Sequence, residues 1–332
     1  MNKSPRLVAL ETLYSIFYDG SYSNIALDKA LSDIKENKAF ISALVYGVTE
    51  KKITLDYFID KYAQGRIKPK VRIVLWLGAY QLLFMDKVPS SASINESVKL
   101  VKEIKQDYYS KLVNAVLHKI DNDRQIPDDL SVKYSVPENL INMWKKQYGE
   151  DVLNEFLPCI NDKPPLFAIP NKKFVNSDEL LYELECDGIL GEAYDEFVLI
   201  ENANDLTASK AFKNGLFYIE DLSSFNCANA LDALSDDLVL DMCSAPGGKA
   251  FTISQSMNNS GKIYCYDLHE HRLNLIKSSA KRLSIDNIYT DVNDATVYNE
   301  NIPKADKILC DVPCSGFGII RRKPEIRYKD LD

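Results

Sequence analysis

The run Leu238-Val239-Leu240-Asp241, continued by Met242-Cys243-Ser244-Ala245-Pro246-Gly247-Gly248-Lys249, constrains the fold more than any other stretch of the chain. Apolar residues that meet an acid, small residues, proline and paired glycine predict a buried parallel strand, a tight turn and a helix beginning near Lys249. Glycine lets a ligand approach the backbone, and the free N–H groups at the start of the following helix favour a carboxylate or phosphate. Two phosphate loops are excluded. A Walker loop needs an earlier glycine and a Ser or Thr after the lysine, where this chain has Ala250, and no GxGxxG occurs at this turn.

Strand-like runs at Leu238–Met242, Lys262–Asp267, Asn287–Thr290 and Lys307–Cys310 alternate with helical stretches, which predicts a doubly wound parallel sheet with ligands at the carboxyl ends of its strands. Asp267 lies 20 residues past Gly247, close to the roughly 20-residue interval at which an acid meets ribose hydroxyls in related nucleotide folds. Asp294 and Asp311 follow the third and fourth runs. As caps or turn formers, all three acids have a purely structural alternative.

The front of the chain reads differently. Apolar residues recur at helical spacing in Arg6–Phe17, Phe40–Val48, Leu55–Tyr62, Val71–Met85, Ile94–Ile104 and Lys111–Ile120, with no strand pattern between them, so an all-helical bundle is expected. Net charge is -8, yet residues 1–120 hold 18 Lys and Arg against 12 Asp and Glu. Lys61, Arg66, Lys68, Lys70 and Arg72 gather before the most apolar helix, where phosphate contact with a polyanion is expected. Ordinary solvated helix faces are the alternative. Trp76 and Gly78 read as packing residues.

Residues 121–129 are polar and end in Pro127-Asp128-Asp129, a linker; a helix starts at Pro137 and stops at Tyr148-Gly149, with a short one on to Leu157. From Pro164 short strands surround a helix at Ser177–Cys186, with further strands at Phe197–Ile200 and Gly215–Ile219. Seven cysteines at irregular spacing without a CxxC pair argue against a disulfide framework and a zinc site. Cys265 and Cys310 are placed inside apolar strands. His269 and His271 should point in different directions and, like His118, receive no metal or catalytic role. No run reaches the roughly 20 apolar residues of a membrane span, and Met1-Asn2-Lys3-Ser4 opens no signal peptide, so a cytoplasmic protein is expected.

D-M-C-S-A-P-G-G-K, with Y-D-L at 266–268, N-D-A at 293–295 and D-V-P-C-S-G at 311–316, resembles the bacterial RNA 5-methylcytosine methyltransferases. V-R-I-V-L-W-L-G-A-Y-Q-L-L-F-M, V-P-S-S-A-S-I-N-E-S-V and K-L-V-N-A-V-L resemble the NusB-type RNA-binding domain found at the front of such enzymes. The likeness covers nearly the whole chain. It implies a multidomain protein: an all-α NusB-like bundle (1–125), a helical linker (126–160), a small α/β RRM-like segment (161–225) and a Rossmann-like methyltransferase domain (226–332).

By the same resemblance, Cys243, Ser244, Ala245, Pro246, Gly247, Gly248 and Lys249 cradle the methionine part of S-adenosyl-L-methionine, and Asp267, Asp294 and Asp311 complete the cofactor site. Asp311 is expected to be a buried carboxylate between cofactor and cytosine, and Cys314 to assist product release. Arg321, Arg322 and Lys323 would meet phosphate beside a flipped base. The partner implied is small-subunit ribosomal RNA, bound by a monomer without membrane or metal. The glutamate and aspartate at 220 and 221 read as a structural link, and Phe167–Asn171 departs from the family by lacking its usual arginine.

The main departure concerns the nucleophile. Carbon 5 of cytosine is unreactive until a thiolate adds to carbon 6, and in the family this thiol sits in a later Thr-Cys motif. No Thr-Cys pair occurs before Asp332, and further strands would normally follow, so an incomplete domain that binds cofactor without full turnover is expected. Direct attack by Cys314 is one alternative; an RNA-binding assembly factor with an inactive methyltransferase fold is another, and a small-molecule methyltransferase is disfavoured by the basic front domain.

Overall fold

In the computed structural model the described residues are 3–202 and 205–329. They divide into two compact units: the described residues up to Pro164 together with those from Ser315 onward, and Pro165–Cys314.

The first unit opens with α1 (Pro5–Tyr18), started by Ser4, whose hydroxyl accepts from the Leu7 N–H, and by Pro5 at a position that needs no N–H donor. α2 (Ser23–Leu31), α3 (Lys38–Tyr62), α4 (Pro69–Phe84), α5 (Ser90–Glu103) and α6 (Ser110–Asn122) follow. α4 is apolar around most of its circumference because α1, α3, α5 and α6 all pack on it, and Trp76 is fully enclosed. The helices expected at 40–48 and 55–62 are one continuous α3. Nothing between them breaks a helix: Thr49 donates to Val45 O (2.7 Å), and Thr54 donates to Val132 O (2.5 Å).

α7 (Leu130–Tyr134), α8 (Glu138–Tyr148) and α9 (Glu150–Cys159) complete the helices of this unit among the described residues. Ile320 and Ile326 pack with Leu140, Trp144 and Leu157. Residues 315–329 therefore pack with these helices. Their apolar side chains, spaced on short 3₁₀ turns, find a core there.

The second unit begins with β1 (Leu166–Pro170), α10 (Ser177–Cys186), β2 (Gly191–Ala193), β3 (Val198–Ile200), α11 (Lys210–Lys213) and β4 (Phe217–Ile219). These strands form an antiparallel sheet in the order β2-β3-β1-β4, a β-α-β-β-α-β arrangement. Its residues alternate between faces. Ala168, Val198 and Phe217 pack beneath α10 and α11, while Phe167, Ile169 and Tyr218 join the core of the parallel sheet. Both faces are thus covered, which suits Phe167 better than a charge.

α12 (Leu222–Asn229) leads into β5 (Leu238–Asp241), α13 (Gly248–Ser256), β6 (Lys262–Asp267), α14 (Glu270–Arg282), β7 (Ile288–Val292) and β8 (Lys307–Leu309). These four strands are parallel in the order β7-β6-β5-β8. The chain runs outward from β5 through β6 to β7, then returns to the other side of β5. That reversal makes the carboxyl ends of β5 and β8 the place where a doubly wound sheet opens a crevice.

One junction welds the two sheets. Asn171 Nδ2 donates to Gly215 O (3.0 Å) and Leu283 O (2.8 Å), and Arg282 Nη1 donates to Phe212 O (2.7 Å) and Phe217 O (3.0 Å). Gly215 has φ +74°, and a Cβ there would fall 2.0 Å from Arg282 O. Backbone strain and overlap act together, so Gly215→Ala should lower unfolding free energy by at least about 2 kcal/mol in urea titrations; an unchanged midpoint would show that the junction yields.

Candidate functional site

The turn after β5 is pinned from both sides. Met242 N donates to Leu309 O on β8 (3.0 Å), and Ser244 N donates to Tyr266 O on β6 (2.8 Å). Gly247 N closes on Ser244 O (2.8 Å) across the cis Ala245–Pro246 peptide, and Phe251 N returns to Gly247 O (2.9 Å) as α13 begins. Gly247 has φ +109°, and a Cβ would meet the Phe251 ring at 2.7 Å. Only glycine fits.

Asp267, at the end of β6, is 3% exposed. It accepts from His269 N (3.1 Å) and pairs with Arg272 Nη1 (2.9 Å), while Arg272 Nη2 donates to Ala245 O (2.8 Å). Arg272 thereby ties the acid of β6 to the turn of β5. Sequence reasoning passed over this arginine; its position five residues after Asp267, in the first turn of α14, was the available signal.

Beyond β7, Asp294 accepts from Thr296 N (2.9 Å) and Thr296 Oγ1 (2.6 Å), and these bonds hold its carboxyl below the ordinary range. Asn293 N donates to Asp267 O (3.1 Å). Leu268, Val292, Asn293, Asp294, Val297 and Tyr298 line an open cleft of about 550 Å³. Exposed apolar surface on Leu268, Val297 and Tyr298 gives this cleft flat hydrophobic walls.

On the other side of β5, Lys249 Nζ pairs with Asp311 Oδ2 (2.7 Å) and donates to Ser224 Oγ (3.3 Å). Burial alone would pull the Lys249 ammonium down, but the hydrogen bond and charge of Asp311 more than offset this and leave it above its ordinary value. Asp311 is 55% exposed, not the buried carboxylate expected, because β8 ends at Leu309 and the acid stands on the loop beyond. Cys310 is exposed for the same reason, whereas Cys265 is buried in β6 and its thiol is pushed up to about 12. Cys314 is exposed on that loop.

The buried acids lie elsewhere. Burial pushes the Asp241 carboxyl up to about 6; the nearest donors, Ser244 and the Cys243 N–H, complete no hydrogen bond of good geometry with it. Ser244 Oγ and Asn293 Nδ2 are likewise buried without a partner among the described residues. Glu220, read as structural, sits under the start of α13: Thr252 Oγ1 donates to its Oε2 (2.6 Å), and a Cβ on Gly248 would come 2.8 Å from Oε1. Burial raises its carboxyl to about 7.

The sequence-predicted cations are dispersed in function. Arg72 is bound to Asp56 and Asp60 (2.6 Å each) and Lys61 to Asp123 (2.7 Å). Lys68 donates to Gln106 (3.0 Å), Lys70 lies over the Tyr14 ring (5.5 Å), and Arg66 is exposed. Arg321 donates to Asp162 O (3.2 Å) and Lys163 O (2.9 Å), Lys323 lies over the Tyr22 ring (4.7 Å), and Arg322 is half-buried beside them in sequence. His269 and His271 stack at 5.5 Å instead of diverging, since His269 is extended backbone outside α14. Among the described residues no group of three His, Cys, Asp or Glu could hold a metal ion, and no helix is long and apolar enough to cross a membrane.

Residues 3–122 match the NusB family, and residues 228–332 match the family described as 16S rRNA methyltransferase RsmB/F. The chain is 34% identical over 345 aligned residues to the probable ribosomal RNA small subunit methyltransferase B of Bacillus subtilis, covering 98% of this chain and 76% of that protein. It is 29% identical to the corresponding probable enzyme of Synechocystis, over 98% of this chain and 78% of that one. Among solved structures, the crystal structure of PH0851 is similar over 100% of this chain and 80% of its own, with a TM-score of 0.76 at 25% identity.

The Glu220 carboxyl gives the site a pH signature. Its folded value, about 7, lies above its ordinary 4.5, so between these pH values the folded state holds a proton that the unfolded state has released. Stability from this group is full below about pH 4.5 and is lost as pH rises towards 7. Glu220→Gln cannot titrate; the difference in Tm between wild type and Glu220→Gln should change across this window and level off above it. Parallel curves from pH 4.5 to 8 would remove Glu220 from this role.

Proposed function

The chain belongs to the ribosomal RNA small subunit methyltransferase B family, within the RsmB/F group, and from that premise we propose that it methylates a cytosine of small-subunit ribosomal RNA at carbon 5. The methyl donor is S-adenosyl-L-methionine. The observation that carries this reading is the single line formed at the strand ends: a glycine turn after β5, a buried acid after β6 and an apolar cleft after β7.

The residues present suit that cofactor. Ser244 Oγ, Asn293 Nδ2 and the Asp241 carboxylate are buried without partners, and a polar ligand laid along the turn would complete such groups. Backbone from Cys243 to Lys249, through Ser244, Ala245, Pro246, Gly247 and Gly248, would hold the methionine part. Asp267, oriented by Arg272, would take the ribose hydroxyls, and Asp294 with the cleft would take the adenine. When bound, the cofactor supplies a methyl group carried on a sulfonium.

The remaining chemistry falls to the chain. Lys249 holds Asp311 beside the turn, where the carboxylate accepts a hydrogen bond from the exocyclic amine of the cytosine and orients the ring for attack. Thiol addition at carbon 6 makes carbon 5 nucleophilic; once carbon 5 carries the methyl group, loss of its proton to a base expels the thiolate from carbon 6 and restores the ring. The family's attacking thiol is a Thr-Cys cysteine, and these 332 residues contain no such pair. Cys314 serves the elimination step. Arg66, Lys68, Lys70 and the outer faces of Lys61, Arg72, Arg322 and Lys323 supply the phosphate contacts that dock the RNA.

Calorimetric titration with S-adenosylhomocysteine tests the cofactor assignment directly. Wild type should bind, and Asp267→Asn should bind about 10- to 100-fold more weakly, as expected when a charged hydrogen-bond acceptor to hydroxyls is lost. Equal affinities, or no binding by wild type, would remove the assignment. Tritium transfer to unmodified small-subunit RNA, with the labelled base identified by nuclease digestion, reads the substrate.

A further inference from the structure

Arg327 is among the most deeply buried side chains of the protein, at 1% exposure, yet no carboxylate pairs with it among the described residues. Its Nη1 instead donates to Glu50 O (3.2 Å), Ser135 O (3.1 Å) and Asn161 Oδ1 (3.0 Å). These acceptors belong to α3, to the connection between α7 and α8, and to the residues just past α9. One guanidinium thus staples the segment that follows Ser315 to three separate parts of the helical unit. A buried cation held only by neutral acceptors is expensive.

Other bonds of the same segment act in the same direction. Tyr328 donates its hydroxyl to Thr49 O (2.8 Å), Glu325 Oε1 accepts from Ser23 N (2.9 Å), and Arg321 donates to the carbonyls of Asp162 and Lys163. Lys329 Nζ reaches back to Ser315 O (3.4 Å). The segment therefore begins, without any spacer, one residue after Cys314. Upstream, the loop leaves β8 at Leu309, and Asp311 is held by Lys249.

We infer that Arg327 is a positioning residue for the loop carrying Asp311 and Cys314: by locking residues 315–329 into the helical unit it fixes the downstream end of that loop. The inference rests on the proposed function only for the importance of the loop. The restraint itself is a property of the chain, and it can be read without substrate.

Hydrogen–deuterium exchange on the full chain, followed by peptide mass spectrometry, tests this. In Arg327→Met the amides of 310–316 should exchange at least about tenfold faster, while those of the turn at 243–249 keep their wild-type rates. Unchanged exchange at 310–316 would overturn the inference. If Arg327→Met also loosens α1 to α6, Tyr328→Phe, which removes one hydroxyl, decides: faster exchange at 310–316 with quiet helices supports the restraint, and no change there refutes it. S-adenosylhomocysteine affinity should be the same in wild type and Arg327→Met. A wild type that fails to bind the cofactor would defeat the functional reading and leave the exchange result standing.

Discussion

The site depends on one constraint: the turn after β5 is hydrogen-bonded to strands on both sides of it. Met242 reaches β8 and Ser244 reaches β6, so the turn cannot move without disturbing the centre of the parallel sheet. Lys249 then fastens the loop after β8 through Asp311, and Arg272 fastens the end of β6 through Asp267 and Ala245. Three strand ends are thereby held in register by a few polar contacts. Such preorganisation is what a transfer reaction needs, because it removes the cost of arranging the groups at the moment of reaction.

Electrostatically, the site is divided. Asp267 is paired with an arginine and an Asx turn holds Asp294 below its ordinary range, whereas burial pushes Asp241 up to about 6 and Glu220 up to about 7. Lys249 stands between these groups and keeps its charge by pairing with Asp311. Desolvation and direct pairing, acting on neighbouring acids, give this contrast.

The helical unit uses its cations differently from what their clustering in sequence implies. Arg72 is drawn into the network of Asp56 and Asp60, together with the Trp76 N–H, which donates to Asp56 at 2.7 Å. Arg321 caps carbonyls, and Arg327 is interior. Basic residues that look equivalent along the chain thus divide into those that stitch the fold and those, such as Arg66, that face outward.

The turn, the positions of the parallel strands and most helices were legible in the sequence, because each depends on local spacing: glycine where φ is positive, apolar runs of strand length, and helical periodicity from α1 to α6. The acids after β6 and β7 could be placed for the same reason. What only the tertiary structure decided involves residues far apart in the chain. Whether Asp311 is buried depends on where β8 ends, the partners of Glu220 and Arg272 come from other elements, and residues 315–329 join the helices because their apolar side chains find a core there. Periodicity reports which face of an element is apolar; it does not report which other element will cover that face, and burial, ion pairing and proton affinity are all set by that second choice.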